Sequence, residues 1–152
     1  MIYVEAPNVI ESDKKSIFLA GGITGCSEWQ KELANNIAEL DIVVYNPRRK
    51  NFPMDDPTAA LAQITWEFNH LQKASMISFW FGSETIQPIV LFEYGKWIVS
   101  NKPIAIGVDP KYQRKQDVEI QTSLERPGLK IVYSLKDLTN QIYTIINEIQ
   151  FV

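Results

Sequence analysis

Five short apolar runs decide what this chain can fold into: SIFLA (16–20), DIVVYNP (41–47), SMISFWF (75–81), KPIAIGV (102–108) and LKIVYS (129–134). Such runs, rich in β-branched and aromatic residues and bounded by turn residues, are the mark of strands buried in a sheet. The segments between them have helical spacing. EWQKELANNIAEL (28–40) puts Trp29, Leu33, Ile37 and Leu40 on one face, with Ser27 as the expected N-cap. AALAQITWEFNHLQKA (59–74) is a second helix, and Pro88 suits the first position of a third that reaches about Ser100. DVEIQTSLE (117–125) is a short helix, and LKDLTNQIYTIINEIQ (135–150) closes the chain as an amphipathic one.

Apolar strands that alternate with helices predict a parallel sheet covered on both faces. Five core strands give a flavodoxin-like, doubly wound α/β fold, with residues 1–6 a candidate extra edge strand. No repeat or linker divides the chain, so residues 1–152 are expected to form one domain. In such sheets the ligand lies beyond the carboxyl ends of the strands, near the topological switch point. The loops expected there are GGITG, NPRRKNFP, GSETIQP and DPKYQRKQ, which also hold the most unusual polar residues.

Composition narrows the function. A net charge of −3 gives no general attraction to nucleic acid or anionic membrane. A single cysteine, Cys26, excludes an internal disulfide and a thiolate zinc cluster. No apolar run approaches the ~20 residues that span a bilayer, and MIYVEAPNVIESDKK lacks a signal-peptide core. The expectation is a soluble, cytoplasmic protein.

The glycine-rich AGGITG (20–25) either lets backbone amides approach a phosphate or sugar, or is a tight turn from strand to helix. It is neither a dinucleotide fingerprint nor a P-loop. NPRRK (46–50) gathers Arg48, Arg49 and Lys50 past a strand end, as a phosphate site or as a solvated loop. His70 lies mid-helix and reads as a surface or packing residue rather than a catalytic one, and no His/Asp/Glu spacing marks a metal site. Two acids are out of pattern. Glu67 is flanked by Trp66 and Phe68, and Glu93 by Phe92 and Tyr94. They either reach solvent or an arginine, or they form a carboxylate pair that divides nucleophile and acid/base roles.

Together, IFLAGGITGCSEWQ, NPRR, QITWE, FWF, ETIQPIVLFEYGKW and YQRKQDVEIQ resemble the nucleoside 2-deoxyribosyltransferase-like family over roughly residues 1–125. The resemblance implies that Glu93, in FEYG, is a nucleophile that forms a covalent deoxyribosyl ester. It implies that Glu67 orients the sugar hydroxyl or assists proton transfer. Asp117 falls where the family lends a side chain to the neighbouring subunit's site, which implies a homo-oligomer with shared active sites. Phe18 stands where the family has a tyrosine, and Gln87 where it has an aspartate that handles the base. Gly21, Gly22, Arg48 and Trp29 complete the expected substrate contacts. The implied reaction transfers deoxyribose from a nucleoside to a free base and needs no metal or organic cofactor. The alternatives are a nucleoside 5'-monophosphate N-glycosidase using the basic loop, and a nucleotide-binding protein without turnover.

Overall fold

The computed structural model describes residues 1–149. Its elements follow in the order β1 (Ile2–Glu5), β2 (Ser16–Gly21), α1 (Trp29–Asn36), β3 (Val43–Asn46), α2 (Ala59–Lys73), β4 (Met76–Phe81), α3 (Pro88–Ile98), β5 (Ile104–Val108), α4 (Lys115–Glu125), β6 (Ile131–Val132) and α5 (Leu135–Glu148). The strands form one six-stranded sheet in the order β1-β3-β2-β4-β5-β6, parallel throughout. Its inner five strands have the flavodoxin-like order expected for a doubly wound fold. The N-terminal edge strand is present as well, with Ile2 to Glu5 registered against Val43 to Asn46.

The period of two along each strand sorts side chains into two layers. From β2 and β4, Phe18, Ala20, Ile77, Phe79 and Phe81 enter the layer that α2, α3 and α4 cover with Trp66, Leu71, Val90, Tyr94, Trp97 and Val118. Ile17, Leu19, Met76 and Trp80 point the other way, against Trp29 and Leu33 of α1 and Leu138, Ile142 and Ile146 of α5. Each large side chain so buried contributes about 1.5–3 kcal/mol. Being buried on both faces is why these strands read as continuous apolar runs.

Several boundaries differ from the sequence reading. Helix α1 stops at Asn36, where consecutive asparagines weaken the helix and the Ile37 amide is shared between the Leu33 and Ala34 carbonyls. Ser27 does not cap it. Glu28 holds that position without a side-chain bond, and the Ser27 amide donates to Glu84 Oε1. Helix α4 begins at Lys115, ahead of the expected start. Strand β3 shortens to Val43–Asn46 and β5 to Ile104–Val108. The last strand shrinks to Ile131–Val132, because Gln141 reaches in beside it, accepting from the Ile106 amide and donating to the Lys130 carbonyl. The last residue of the expected final helix, Gln150, lies outside the described residues.

Of the surface and packing roles open to His70 the structure shows the second: it is buried, stacked on Trp66 at 3.9 Å and donating from Nδ1 to the Trp66 carbonyl at 2.7 Å. Lys102 sets the depth of α2. Its ammonium donates to the carbonyls of Leu71, Gln72 and Ala74 at 2.9, 2.7 and 2.6 Å, which places a cation on the negative end of the helix. It also sits over the Trp97 ring of α3, so one side chain ties α2 to α3. Replacing it, Lys102→Met, leaves those carbonyls unsatisfied and is expected to cost about 1–2 kcal/mol in urea denaturation. An unchanged midpoint would show that the three bonds contribute nothing net.

Candidate active site

The winding direction reverses between β2 and β4, and a cleft of about 660 Å³ opens just beyond their carboxyl ends. Its lining comes from the end of β2 and the glycine loop, from Pro47, from α2, and from residues 85–97. A larger, more open groove runs beside β6 and α5, but it holds none of the residues the sequence singles out.

The glycine loop forms one rim and is tied in place from behind. At Gly21 a Cβ would lie 2.3 Å from the Trp29 ring and 2.6 Å from the Trp80 carbonyl oxygen, so only glycine fits. The Gly22 carbonyl accepts from Trp29 Nε1 at 2.9 Å and Gln30 Nε2 at 3.2 Å. Arg48 Nη2 donates to the carbonyls of Ile23, Cys26 and Ser27 at 3.1, 3.2 and 2.7 Å. The Gly22 amide donates to Gln87 Oε1 at 2.8 Å, and Gln87 Nε2 donates to the Gly82 carbonyl at 2.7 Å.

The two unusual acids meet in this cleft. Glu93 is on the second turn of α3 and Glu67 is mid-way along α2. Both line the cleft, among Phe18, Ile64, Phe68, Leu71, Ile89, Phe92 and Trp97. Removal from water raises the Glu93 carboxyl to about 7, with a further push from the Glu67 charge and a smaller opposing pull from Lys96. Glu67 is also raised by burial, against a hydrogen bond from Gln63. That bond is 2.8 Å long, and the same Gln63 Nε2 donates to the Pro47 carbonyl at 2.8 Å, which fixes the Glu67 carboxyl against the end of β3. A carboxylate pair in an apolar cleft, with one member poised near neutrality, can attack an electrophilic carbon and move a proton.

The other expected residues fall in several places. Phe18 forms part of the cleft lining, fully buried, with its ring 6.1 Å from Trp66. Gly21 and Gly22 line the rim, and Gln87 lies between them and the helix bearing Glu93. Trp29 and Arg48 stand behind the loop rather than in the cleft, Trp29 Nε1 and Arg48 Nη2 donating to loop carbonyls. Arg49 lies over the Phe52 ring, so the basic cluster does not gather into an anion site at the cleft. Asp117 is on the first turn of α4, bonded to Arg114 at 3.0 Å, outside this chain's cleft. Sequence reasoning passed over Gln63 and Lys96. Both were accessible through helical spacing, four residues before Glu67 and three after Glu93, which puts each on its acid's face.

A doubly wound parallel sheet with two acids lining a cleft at its switch point defines the chain as a flavodoxin-like α/β protein. The chain belongs to the nucleoside 2-deoxyribosyltransferase-like family, whose sequence model matches residues 14–112. Among solved structures it is similar to the crystal structure of a conserved protein from Enterococcus faecalis V583, at 18% identity and a TM-score of 0.53. That match covers 86% of this chain and 98% of the other, and it shows the shared fold. No curated protein matches the chain.

The raised Glu93 carboxyl has a stability consequence. Its folded value of about 7 lies above the ordinary 4.5, so between these the folded state holds the proton that the unfolded state has lost. The stability tied to this group is complete below about pH 4.5 and is lost as pH rises through 7. Glu93→Gln should therefore be more stable than wild type at pH 8, by about 3 kcal/mol at most, with the gain vanishing in acid. Denaturation at pH 8 and pH 4.5 tests this, and a Glu93→Gln protein no more stable at pH 8 would refute the desolvated carboxylate.

Proposed function

We propose that the chain cleaves the N-glycosidic bond of 2'-deoxynucleosides and passes the deoxyribosyl group to another base. The observation that carries this reading is the Glu93–Glu67 pair, desolvated and coupled in one apolar cleft at the switch point. Family membership supplies the substrate class. An ionised Glu93 oxygen attacks C1' of the sugar, the C1'–N bond breaks, and its electron pair leaves with the base. Glu67 delivers the proton that the departing nitrogen takes up. A second base then attacks C1' by its ring nitrogen, expelling the Glu93 carboxylate and returning a proton to Glu67. Two inversions give net retention.

The cleft favours a nucleoside over its 5'-monophosphate. A phosphate needs donors or cations that face it, and Arg48 turns its Nη2 to the glycine-loop carbonyls from outside the cleft lining while Lys96 is the cation beside two acids. The apolar walls suit a base and a deoxy sugar.

The reading extends to assembly. Leu61, Ile64 and Phe68 form an exposed stripe on α2, and Ile89 and Phe92 of α3 with Val99 just past its end form another, beside the mouth of the cleft. A second copy seated there would shield the ester intermediate from water, and it would bring in the side chain that family likeness assigns to Asp117. Leu61→Glu combined with Val99→Glu, both outside the cleft lining, should then sediment as a monomer and lose transfer activity. A fully active monomer would exclude shared sites.

The catalytic assignment is tested by incubating deoxyadenosine or deoxycytidine with a foreign base and separating the products. A new deoxynucleoside is expected from wild type and none from Glu93→Ala or Glu93→Gln, and retained turnover in either removes Glu93 as nucleophile. Because attack requires an ionised Glu93 and departure of the base a protonated Glu67, kcat/KM should be bell-shaped in pH, falling in acid and again in alkali. A rate with no alkaline limb would remove Glu67 as the acid, and one with no acid limb would remove Glu93 as the nucleophile.

A further inference from the structure

Gln87 is placed unlike any other residue around the cleft. It holds the N-cap of α3 with φ 55° and ψ 58°, a left-handed conformation that is uncommon for a residue with a side chain. Among the described residues it alone, apart from Gly25, has positive φ. The conformation turns its side chain back under the glycine loop, where it is 5% exposed. Both polar ends are then used by backbone: Oε1 accepts from the Gly22 amide and Nε2 donates to the Gly82 carbonyl. The fit is close, since a Cβ on Gly22 would lie 2.8 Å from Gln87 Cδ. Meanwhile the Gln87 carbonyl accepts from the Leu91 amide, opening the helix that carries Glu93.

We propose that Gln87 is a positioning residue, a brace that locks the end of β2 to the end of β4 and so sets the glycine rim at a fixed height over Glu93. Held at both ends and 5% exposed, this amide serves the loop rather than the base, and a carboxamide has no acidic proton to give. Any proton the leaving group needs comes from the carboxyl pair. This inference rests on the cleft's being the active site, and it differs from a role in reading the base.

The brace needs a donor and an acceptor on one side chain, and this makes it testable with an isostere. In Gln87→Glu the neutral carboxyl keeps both bonds, with its O–H donating to the Gly82 carbonyl and its other oxygen accepting from the Gly22 amide. Ionised, it has no donor and faces the Gly82 carbonyl with a charge. The ionisable side chains packed about it are Glu84, Cys26, Arg48 and Tyr112 on the surrounding loops, and Glu67, Glu93 and Lys96 in the cleft. Wild type, measured at each pH, corrects for their titration.

The experiment follows the Gly22 amide by nitrogen–proton NMR, and deoxyribosyl transfer at each pH, in wild type, Gln87→Glu and Gln87→Met. The expected result is a protected Gly22 amide in wild type at all pH. In Gln87→Glu it should be protected in acid and released on ionisation, and in Gln87→Met never protected. Turnover of Gln87→Glu relative to wild type should fall about ten- to a hundredfold across the same titration, mostly in kcat. The preference between deoxyadenosine and deoxycytidine should stay unchanged. A Gly22 amide indifferent to the substitutions would overturn the brace. An amide that titrates while relative turnover stays constant, or a shift in base preference, would overturn the positioning role. Absence of transfer in wild type would sink the transferase reading alone, and the Gly22 resonance would then decide the brace.

Discussion

Holding a carboxyl group out of water, close to a second one, is the constraint around which the ligand end of this protein is organised. Water would stabilise an ionised Glu93 better than Ile89, Phe92 and Trp97 do, so the group sits near neutrality only because the surrounding structure does not yield. That stiffness has identifiable sources. Lys102 holds the far end of α2 against α3, Gln63 anchors the Glu67 carboxyl to the end of β3, and the packed rings of Phe18 and Trp66 back the cleft floor. The stabilisation given up at the acid pair is offset by the two apolar layers on either side of the sheet.

The same economy of polar groups explains the glycine loop. A loop that turns sharply beyond a buried strand exposes carbonyls and amides with no ladder to join. Here Arg48, Trp29 and Gln30 approach its carbonyls from the side away from the cleft. The loop's free edge is left to face the ligand with small, largely apolar surface. The Arg48 charge is therefore structural, and the ionisable groups lining the cleft are its two acids and Lys96.

Much of this was legible in sequence, for physical reasons that differ from residue to residue. Buried parallel strands cannot alternate polar and apolar residues, so β2 and β4 are visible as unbroken apolar runs, and the strand–helix rhythm then implies the winding. Glu67 and Glu93 stood out because aromatic neighbours make a solvated acid incongruous. Arg48 was harder to place, because a cluster of basic residues reads alike whether it awaits a phosphate or tethers a loop. Only the folded carbonyls decide which. The missing Ser27 cap and the clipped β6 were set by tertiary partners, Glu84 and Gln141, that lie far away in sequence. Gln87 carries no local signal for left-handed backbone. Its conformation follows from where Gly22 and Gly82 are.

The intrusion of Gln141 beside the last strand bears on how the molecule behaves in a crowded solution. An open sheet has two edges, each a row of backbone groups ready to recruit a strand from another molecule. This sheet ends on one side in a two-residue strand with a glutamine amide occupying the next rungs, and on the other in a four-residue strand. Neither edge is long enough to template a growing stack. The chain can thus carry an exposed apolar helical face while its most adhesive surface, the bare rim of the sheet, is blunted.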